Sequence, residues 1–269
     1  MLIKQYKSIL IPIPSYGFDP TEVSIPWKLL TANNIEVTFA TPQGDKASGD
    51  NIMLTGDSLG IWRTILKARK DVVEAYYEME GSDAFCNPFK YTDIKEEDYD
   101  GIILPGGHDK GVIEYLESNL LQKLIVNFFA VKKPVGAICH GVVLLARSIN
   151  PETNKSVIYN YKTTGLLKSQ ELLAYNLTKL WLKDYYLTYP NKTVEDEVKS
   201  VLIKEDNFIK GKTPLGRDSE KHLEKGFYVK DRHYISARWP GDIYNFSIEF
   251  IKMMTNIVVI NEEHAGKCI

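Results

Sequence analysis

The sequence predicts an α/β fold in which helices cover both faces of a mainly parallel sheet. Short, nearly continuous apolar runs, the pattern of strands that are buried on both faces, alternate along the chain with stretches of helical spacing. The 269 residues, of which 44% are hydrophobic and 25% charged, are enough for one large domain with an ordinary core. We therefore predict a single domain over residues 1–256, followed by a C-terminal tail over 257–269.

The N-terminal part has the pattern of a βαβ unit. Residues 8–14 predict a strand, residues 23–32 a helix, and residues 36–40 a second strand. Gly, Asp and Ser are frequent over residues 41–60, which predicts a long surface loop. Helical spacing returns over residues 63–80, so that a second helix is expected there.

The same alternation continues to the middle of the chain. We predict a strand over residues 99–104, a long amphipathic helix over 112–131, a strand over 134–138 and a helix over 141–147. Each strand is followed by a helix, which is the order that a parallel sheet requires. The first half of the chain therefore accounts for most of the predicted sheet.

The C-terminal half departs from this rhythm. Residues 150–225 contain aromatic-rich helical stretches and a charged run but few strand patterns, which predicts helical decoration rather than sheet. A hairpin is expected from residues 227–229 and 234–237, and a closing helix from residues 242–254.

Charge, hydropathy and cysteine usage limit the classes of function. The net charge of −2 gives no reason to expect nucleic acid or an acidic membrane as a partner. The apolar run near the N-terminus, residues 9–13, is too short to span a bilayer and has no cleavage site after it, so we expect a cytoplasmic protein. Three cysteines without CxxC spacing and scattered histidines predict neither a disulfide framework nor a metal site.

The segment Pro134-Val135-Gly136-Ala137-Ile138-Cys139-His140-Gly141 is the strongest candidate for chemistry. A buried strand stops at Cys139 and turns at once into a helix, with small residues two positions before and after the cysteine. This is the geometry of an exposed nucleophile, and the helix dipole predicts a stabilised thiolate. A free cysteine is also one of the most buried residue types, so a structural role stays open.

A second motif supplies groups that support an electrophile. In Ile102-Ile103-Leu104-Pro105-Gly106-Gly107-His108 a strand runs into a double-glycine loop. The N–H groups of Gly106 and Gly107, together with that of His140, predict a site that stabilises a developing oxyanion.

These motifs resemble those of the DJ-1/PfpI superfamily, in particular its Hsp31-like branch. The segments 137–141 and 104–108 are similar to the nucleophile segment and the oxyanion loop of that superfamily, and residues 16–22 resemble the loop that brings a glutamate to the nucleophile. The resemblance implies a flavodoxin-like three-layer sandwich with a mainly parallel sheet and helical decoration in the C-terminal half.

The resemblance also implies roles for individual residues. Cys139 is the nucleophile, His140 its neighbour in the triad, and Glu22 the carboxylate at the sulfur, while Gly106, Gly107 and His108 form the oxyanion and substrate site. Glu171 lies at a spacing similar to that of the third, orienting acid. An acidic residue in the first turn of a helix stabilises the helix dipole in any protein, so Glu22 and Glu171 also fit a purely structural role.

The activity implied by the resemblance is that of a cofactor-independent cysteine enzyme. The expected substrate is a small reactive carbonyl compound such as methylglyoxal, hydrated to a hydroxy acid in the manner of glyoxalase III. An amidase or peptidase and a non-enzymatic holdase chaperone or redox sensor are the alternatives. Neither a metal nor a cofactor is expected, and a homodimer is possible from the resemblance alone.

Overall fold

A computed structural model describes residues 7–213 and 216–265 of the chain, with side chains to residue 255. The eleven described strands are β1 (Ser8–Pro12), β2 (Tyr16–Phe18), β3 (Glu36–Thr41), β4 (Ser48–Gly49), β5 (Phe89–Lys90), β6 (Gly101–Leu104), β7 (Val135–Ile138), β8 (Ile149–Asn150), β9 (Lys155–Ser156), β10 (Tyr228–Asp231) and β11 (Tyr234–Ala237). The α-helices within those ranges are α1 (Pro20–Ala32), α2 (Asn51–Thr55), α3 (Arg63–Leu66), α4 (Lys70–Glu80), α5 (Asp83–Cys86), α6 (Val112–Leu116), α7 (Asn119–Ala130), α8 (Gly141–Arg147), α9 (Lys168–Leu182), α10 (Val194–Val201) and α11 (Ile243–Ala265).

Seven strands form one sheet in the order β10-β11-β7-β6-β1-β3-β5. All neighbouring pairs are parallel except β10 and β11, which form the antiparallel hairpin that the sequence predicts. Strands β6, β7 and β11 are buried along their whole length, because helices cover both faces.

The helices divide into two groups. Helices α1, α4 and α11 pack together, whereas α6, α7 and α10 pack on α8. The rings of Phe246 and Phe250 from α11 lie where a side chain at Gly136 of β7 would project, so that a glycine is needed for α11 to approach the sheet. The result is the predicted flavodoxin-like three-layer sandwich.

Three predicted elements differ from the structure. The loop expected over residues 41–60 contains β4 and α2, and the helix expected over 63–80 is divided into α3 and α4. The helix expected over 112–131 is also divided, because Ser118 ends one segment and caps α7 by accepting a hydrogen bond from Leu121 N at 3.3 Å.

The C-terminal half agrees with the prediction in outline. Residues 150–225 carry α9 and α10, and the strands of the main sheet come from outside this segment. The closing helix, expected over residues 242–254, is described to Ala265 and so runs into the range expected to be a tail; residues 266–269 lie outside the described residues. Among the described helices, none is long and apolar enough to cross a membrane.

Candidate active site

Cys139 lies in a sharp turn between β7 and α8. Its φ of +55° places a non-glycine residue in the left-handed region, where most side chains are strained. A side chain at Gly141 would collide with the Leu104 carbonyl oxygen, and one at Gly106 would lie 2.6 Å from the His140 nitrogen. Close backbone approach therefore requires glycine two positions after the cysteine, where the sequence predicts a small residue.

Glu22 reaches this turn from the first turn of α1. The side chain of Asp19 caps the helix by accepting hydrogen bonds from Thr21 N at 2.7 Å and Glu22 N at 3.2 Å. Glu22 is fully buried, and its Oε2 accepts a hydrogen bond from Gly106 N at 2.7 Å. A Cβ atom at Gly106 would lie 3.1 Å from both Cys139 Cβ and Glu22 Oε2, so the thiol and the carboxyl meet around this glycine.

The electrostatics of this pair differ from the sequence prediction. Burial raises the pKa of Cys139 well above its ordinary value, and the nearby Glu22 carboxylate raises it further. The hydrogen bond from His140 N favours the thiolate but does not outweigh these effects, and α8 is only seven residues long. The direction of the pKa shift is therefore opposite to that of the stabilised thiolate that the sequence predicts.

The carboxyl of Glu22 is shifted in the same direction. Burial raises its pKa well above the usual range, and the negative charge of Asp19 adds to this effect. Two acidic groups that are both shielded from water cannot both lose their protons at neutral pH. Glu22 and Cys139 therefore form a buried pair that retains a proton at neutral pH, and that proton can move between them.

Two neutral histidines complete the cluster. His140 Nδ1 lies 3.5 Å from Cys139 Sγ, and the rings of His140 and His108 meet edge to face with centroids 5.1 Å apart. Burial lowers the pKa of His108 to about 4 and that of His140 well below its ordinary value. Neither His140 Nε2 nor His108 Nδ1 has a hydrogen-bond partner among the described residues.

The double-glycine loop lies against the nucleophile, but its two amides differ. The N–H of Gly106 donates to Glu22 Oε2 at 2.7 Å, so an oxyanion would have to share or displace this bond, and the role of Gly106 in the oxyanion site stays a prediction. A side chain at Gly107 would lie 2.6 Å from the Gly17 carbonyl oxygen, so the loop can pass this close only as glycine. The amides of Gly107 and His140 remain the predicted oxyanion donors.

Glu171 is buried in the first turn of α9, but it is not joined to the cluster. Its Oε2 accepts a hydrogen bond from Val194 N at 3.1 Å and so ties α9 to the start of α10. Burial raises its pKa to about 7. No hydrogen bond joins Glu171 to His140 within the described part of the chain, so its role as the orienting acid stays a prediction.

A cavity of about 400 Å³, which we call the chamber, opens beside the cluster. Asp19, Thr21 and His108 form its inner end, and Trp239 and Pro240 form part of its wall. Cys139 and Glu22 are not among the described residues that line it. His108 joins the chamber to the cluster, because it lines the chamber and its ring meets that of His140 beside the sulfur.

The segment 182–188 contributes Tyr186 to the wall of the chamber, a position that the sequence did not predict. The hydroxyl of Tyr185 donates to the carboxylate of Asp50, which also caps α2, and Tyr186 lines the chamber beside His108. Lys110 Nζ donates to Leu187 O at 2.5 Å. The aromatic-rich character of the 150–225 region was the available signal, but it does not indicate which surface the aromatic residues cover.

Comparison with known families agrees with this geometry. The family described as ThiJ/PfpI family-like matches residues 13–209, which include the Glu22 turn, the double-glycine loop, the cysteine turn and α9. The chain belongs to the ThiJ/PfpI family. This places it in the DJ-1/PfpI superfamily, as the motifs indicated.

Relatives of this ThiJ/PfpI protein include a glyoxalase. It is 32% identical over 157 residues to the glutathione-independent glyoxalase hsp3102 of Schizosaccharomyces pombe, covering 58% of this chain and 62% of the relative. It is 30% identical over 138 residues to an uncharacterised protein of the same yeast, covering 51% of this chain and 49% of the relative. The chain thus spans about half to two thirds of the length of these two relatives.

Solved structures support the fold of this ThiJ/PfpI protein. The structure of glyoxalase III from Candida albicans superposes with a TM-score of 0.69 at 18% identity, covering 92% of this chain and 97% of that one. The Rapid Encystment Protein of Francisella tularensis superposes with a TM-score of 0.66 at 16% identity, covering 92% of this chain and 99% of that one.

Proposed function

We propose that this protein is a cofactor-independent cysteine enzyme that converts 2-oxoaldehydes such as methylglyoxal to 2-hydroxy acids. The observation that carries the proposal is the buried pair of Cys139 and Glu22. A mainly apolar chamber lies next to this pair, and His108, which lines the chamber, packs on His140 beside the sulfur. A nucleophile and a proton carrier side by side, shielded from water, are what an internal proton transfer requires. The glyoxalase relative supports the same class of reaction.

The reaction follows from the positions of these groups. The sulfur of Cys139 adds to the aldehyde carbon as its proton passes to Glu22, and a C–S bond forms while the carbonyl oxygen takes up negative charge. The amides of Gly107 and His140 stabilise that oxygen. Glu22 passes the thiol proton to this oxygen, removes the proton from the former aldehyde carbon to leave an enediolate, and delivers that proton to the neighbouring carbon. Transfer of the hydroxyl proton between the two oxygens then gives a 2-hydroxy thioester.

Water then completes the reaction. It cleaves the thioester, releases the 2-hydroxy acid and returns the proton to the thiol, so that the net change is the addition of one water molecule. Glu22 is the better proton carrier of the two neighbours, because burial raises its pKa towards the operating pH whereas the pKa of His140 is lowered.

An amidase or peptidase activity receives less support from the site. Cys139 is only 1% exposed and is not among the described residues that line the chamber, so an extended polypeptide has little access to the sulfur. His140 has a lowered pKa, which makes it a weak acid-base partner for an amine leaving group.

A holdase function is the second candidate, because apolar side chains are exposed around the mouth of the chamber. Ile65 and Leu173 line the chamber and are 64% and 60% exposed. Two more apolar side chains are exposed nearby in the sequence: Ile61, just before α3, and Leu180, on α9. Such a group of side chains suits binding to an unfolded client. In a holdase, suppression of client aggregation would survive in Cys139→Ala.

Cys139→Ala tests the enzymatic proposal. We expect it to abolish turnover of methylglyoxal while far-UV circular dichroism and thermal unfolding stay close to wild type. Cys86→Ala is the matched control, because Cys86 is exposed and lies on α5, outside the site. Substantial turnover by Cys139→Ala would contradict the proposed nucleophile.

A further inference from the structure

The chamber is much larger than the simplest substrate needs. Its volume of about 400 Å³ lies in the range of about 300 to 1,000 Å³ that holds drug-sized ligands. Methylglyoxal carries only a methyl group besides its two carbonyls. With the aldehyde at Cys139, that methyl group would leave most of the chamber unfilled.

The walls of the chamber are mainly apolar. The apolar lining side chains include Leu66 of α3, Leu166 just before α9, Leu177 of α9 and Trp239 after β11. Of the polar lining side chains, Asp19, Thr21 and His108 lie nearest the nucleophile, whereas Ser169, Gln170 and Thr213 are interspersed among the apolar walls. The chamber therefore has a polar end for the reacting carbonyls and an apolar body for whatever is attached to them.

The one guanidinium among the described lining residues does not offer an anion site. Arg217 donates from Nη1 to Lys67 O at 3.1 Å and from Nη2 to Ile65 O and Leu66 O at 3.0 Å. These three bonds tie the guanidinium to the C-terminal end of α3, and its positive charge already interacts with the Asp19 carboxyl. Asp19, a carboxyl group, lines the same chamber. An anionic substituent would gain little from Arg217 and would meet an acidic group.

We infer that the preferred substrates are 2-oxoaldehydes with a bulky, uncharged apolar side chain, and that Leu177 helps to set this preference. The inference rests on the proposed function and deepens it by naming the substrate class. Each buried carbon of the side chain should raise kcat/KM about fourfold, because transfer of a methylene group from water is favourable. The branched 4-methyl-2-oxopentanal, with three more carbons than methylglyoxal, should be preferred roughly fiftyfold.

The test compares substrates in wild type and in two matched variants of α9. We would measure kcat/KM for methylglyoxal and 4-methyl-2-oxopentanal, two aliphatic compounds whose carbonyls are electronically similar. Leu177→Trp places bulk in the chamber, whereas Leu180→Trp places the same bulk on the same helix at a side chain that is 89% exposed and does not line the chamber. The ratio of the two kcat/KM values is independent of the fraction of folded enzyme.

We expect the ratio to favour the branched substrate in wild type, to fall at least tenfold in Leu177→Trp and to stay within about twofold in Leu180→Trp. An oxoaldehyde with a terminal carboxylate should be a poorer substrate than the branched compound. A wild-type preference for methylglyoxal, or an unchanged ratio in Leu177→Trp, would overturn the inference while turnover itself upholds the proposed function. Absence of turnover with all these substrates would overturn the proposed function, and the inference with it.

Discussion

The variant Glu22→Gln tests two effects of the buried carboxyl separately: its effect on the free energy of unfolding and its contribution to catalysis. Glu22 is fully buried, and its Oε2 accepts the hydrogen bond from Gly106 N at 2.7 Å. The amide oxygen of glutamine has the same position and keeps this bond. The substitution removes the acidic group. In the folded state, burial and the charge of Asp19 raise the pKa of that group.

The sign and size of the stability effect follow from linkage. Above the ordinary glutamate pKa of about 4.3, the unfolded chain has lost the proton that folded Glu22 still holds. Wild type therefore loses about 1.4 kcal/mol of unfolding free energy from this group for each pH unit, until Glu22 ionises in the folded state. Glutamine has no such penalty, so the variant should become progressively more stable than wild type as pH rises through this window.

The same substitution should damage the reaction. Loss of a positioned proton carrier typically lowers kcat by about 10²- to 10⁴-fold, and we expect a loss of this size with methylglyoxal. The thiol should nevertheless become easier to ionise, because the negative charge that raises its pKa is gone. Alkylation of Cys139 should therefore begin at lower pH in the variant.

Urea unfolding between pH 4.5 and 8, alkylation against pH and steady-state turnover on one preparation measure all three effects. Glu36→Gln is the control, because Glu36 is an exposed glutamate at the start of β3. A variant with unchanged turnover, or one whose stability relative to wild type does not rise with pH, would refute the buried-pair reasoning.

Two further predictions test the turn and the segment that covers the chamber. Gly141→Ala should lower the unfolding free energy by about 3 kcal/mol or more, because the added methyl group collides with the Leu104 carbonyl. Gly165→Ala is the control and should cost far less, because a methyl group there makes ordinary contacts at 3.5 Å. Equal urea midpoints for the two variants would contradict this prediction. Tyr185→Phe should remove about 1–3 kcal/mol of local stability, because Asp50 loses the hydroxyl that donates to it. Faster hydrogen exchange over residues 182–188 would detect this loss. Unchanged exchange would show that the hydrogen bond does not hold the segment in place.

The turn around Cys139 was predictable because its requirements are local. A strand that ends at a cysteine flanked by small residues allows few backbone paths, and the structure places Cys139 at φ +55° with Gly141 against Leu104 O. The break at Ser118 also had a local signal, a serine three residues before the Leu121 amide that it caps. Reading that capping pattern would have divided the helix predicted over 112–131.

The division between α3 and α4 had no comparable signal. The carbonyls of Ile65, Leu66 and Lys67 turn away from a continuous helix and accept hydrogen bonds from Arg217, about 150 positions further along the chain. The spacing of apolar residues over 63–80 carries no information about a contact with a residue so far away in the sequence. The chamber lies beside this contact, and for that reason the substrate-binding half of the site was less predictable than the nucleophile.

The error in the predicted thiol pKa has the same origin and bears on mechanism. The helix dipole could be inferred from the residues next to Cys139, whereas the burial and the Glu22 charge that oppose it come from the tertiary fold. A thiol that keeps its proton at rest is a poor target for oxidants and alkylating agents. In the proposed reaction, nucleophilic attack must then be coupled to proton transfer onto Glu22, so that the sulfur becomes reactive only when an aldehyde is present to accept it. This favours a turnover enzyme over a constitutively oxidised sensor, because a sensor cysteine needs an exposed thiolate, whereas Cys139 is buried and its pKa is raised.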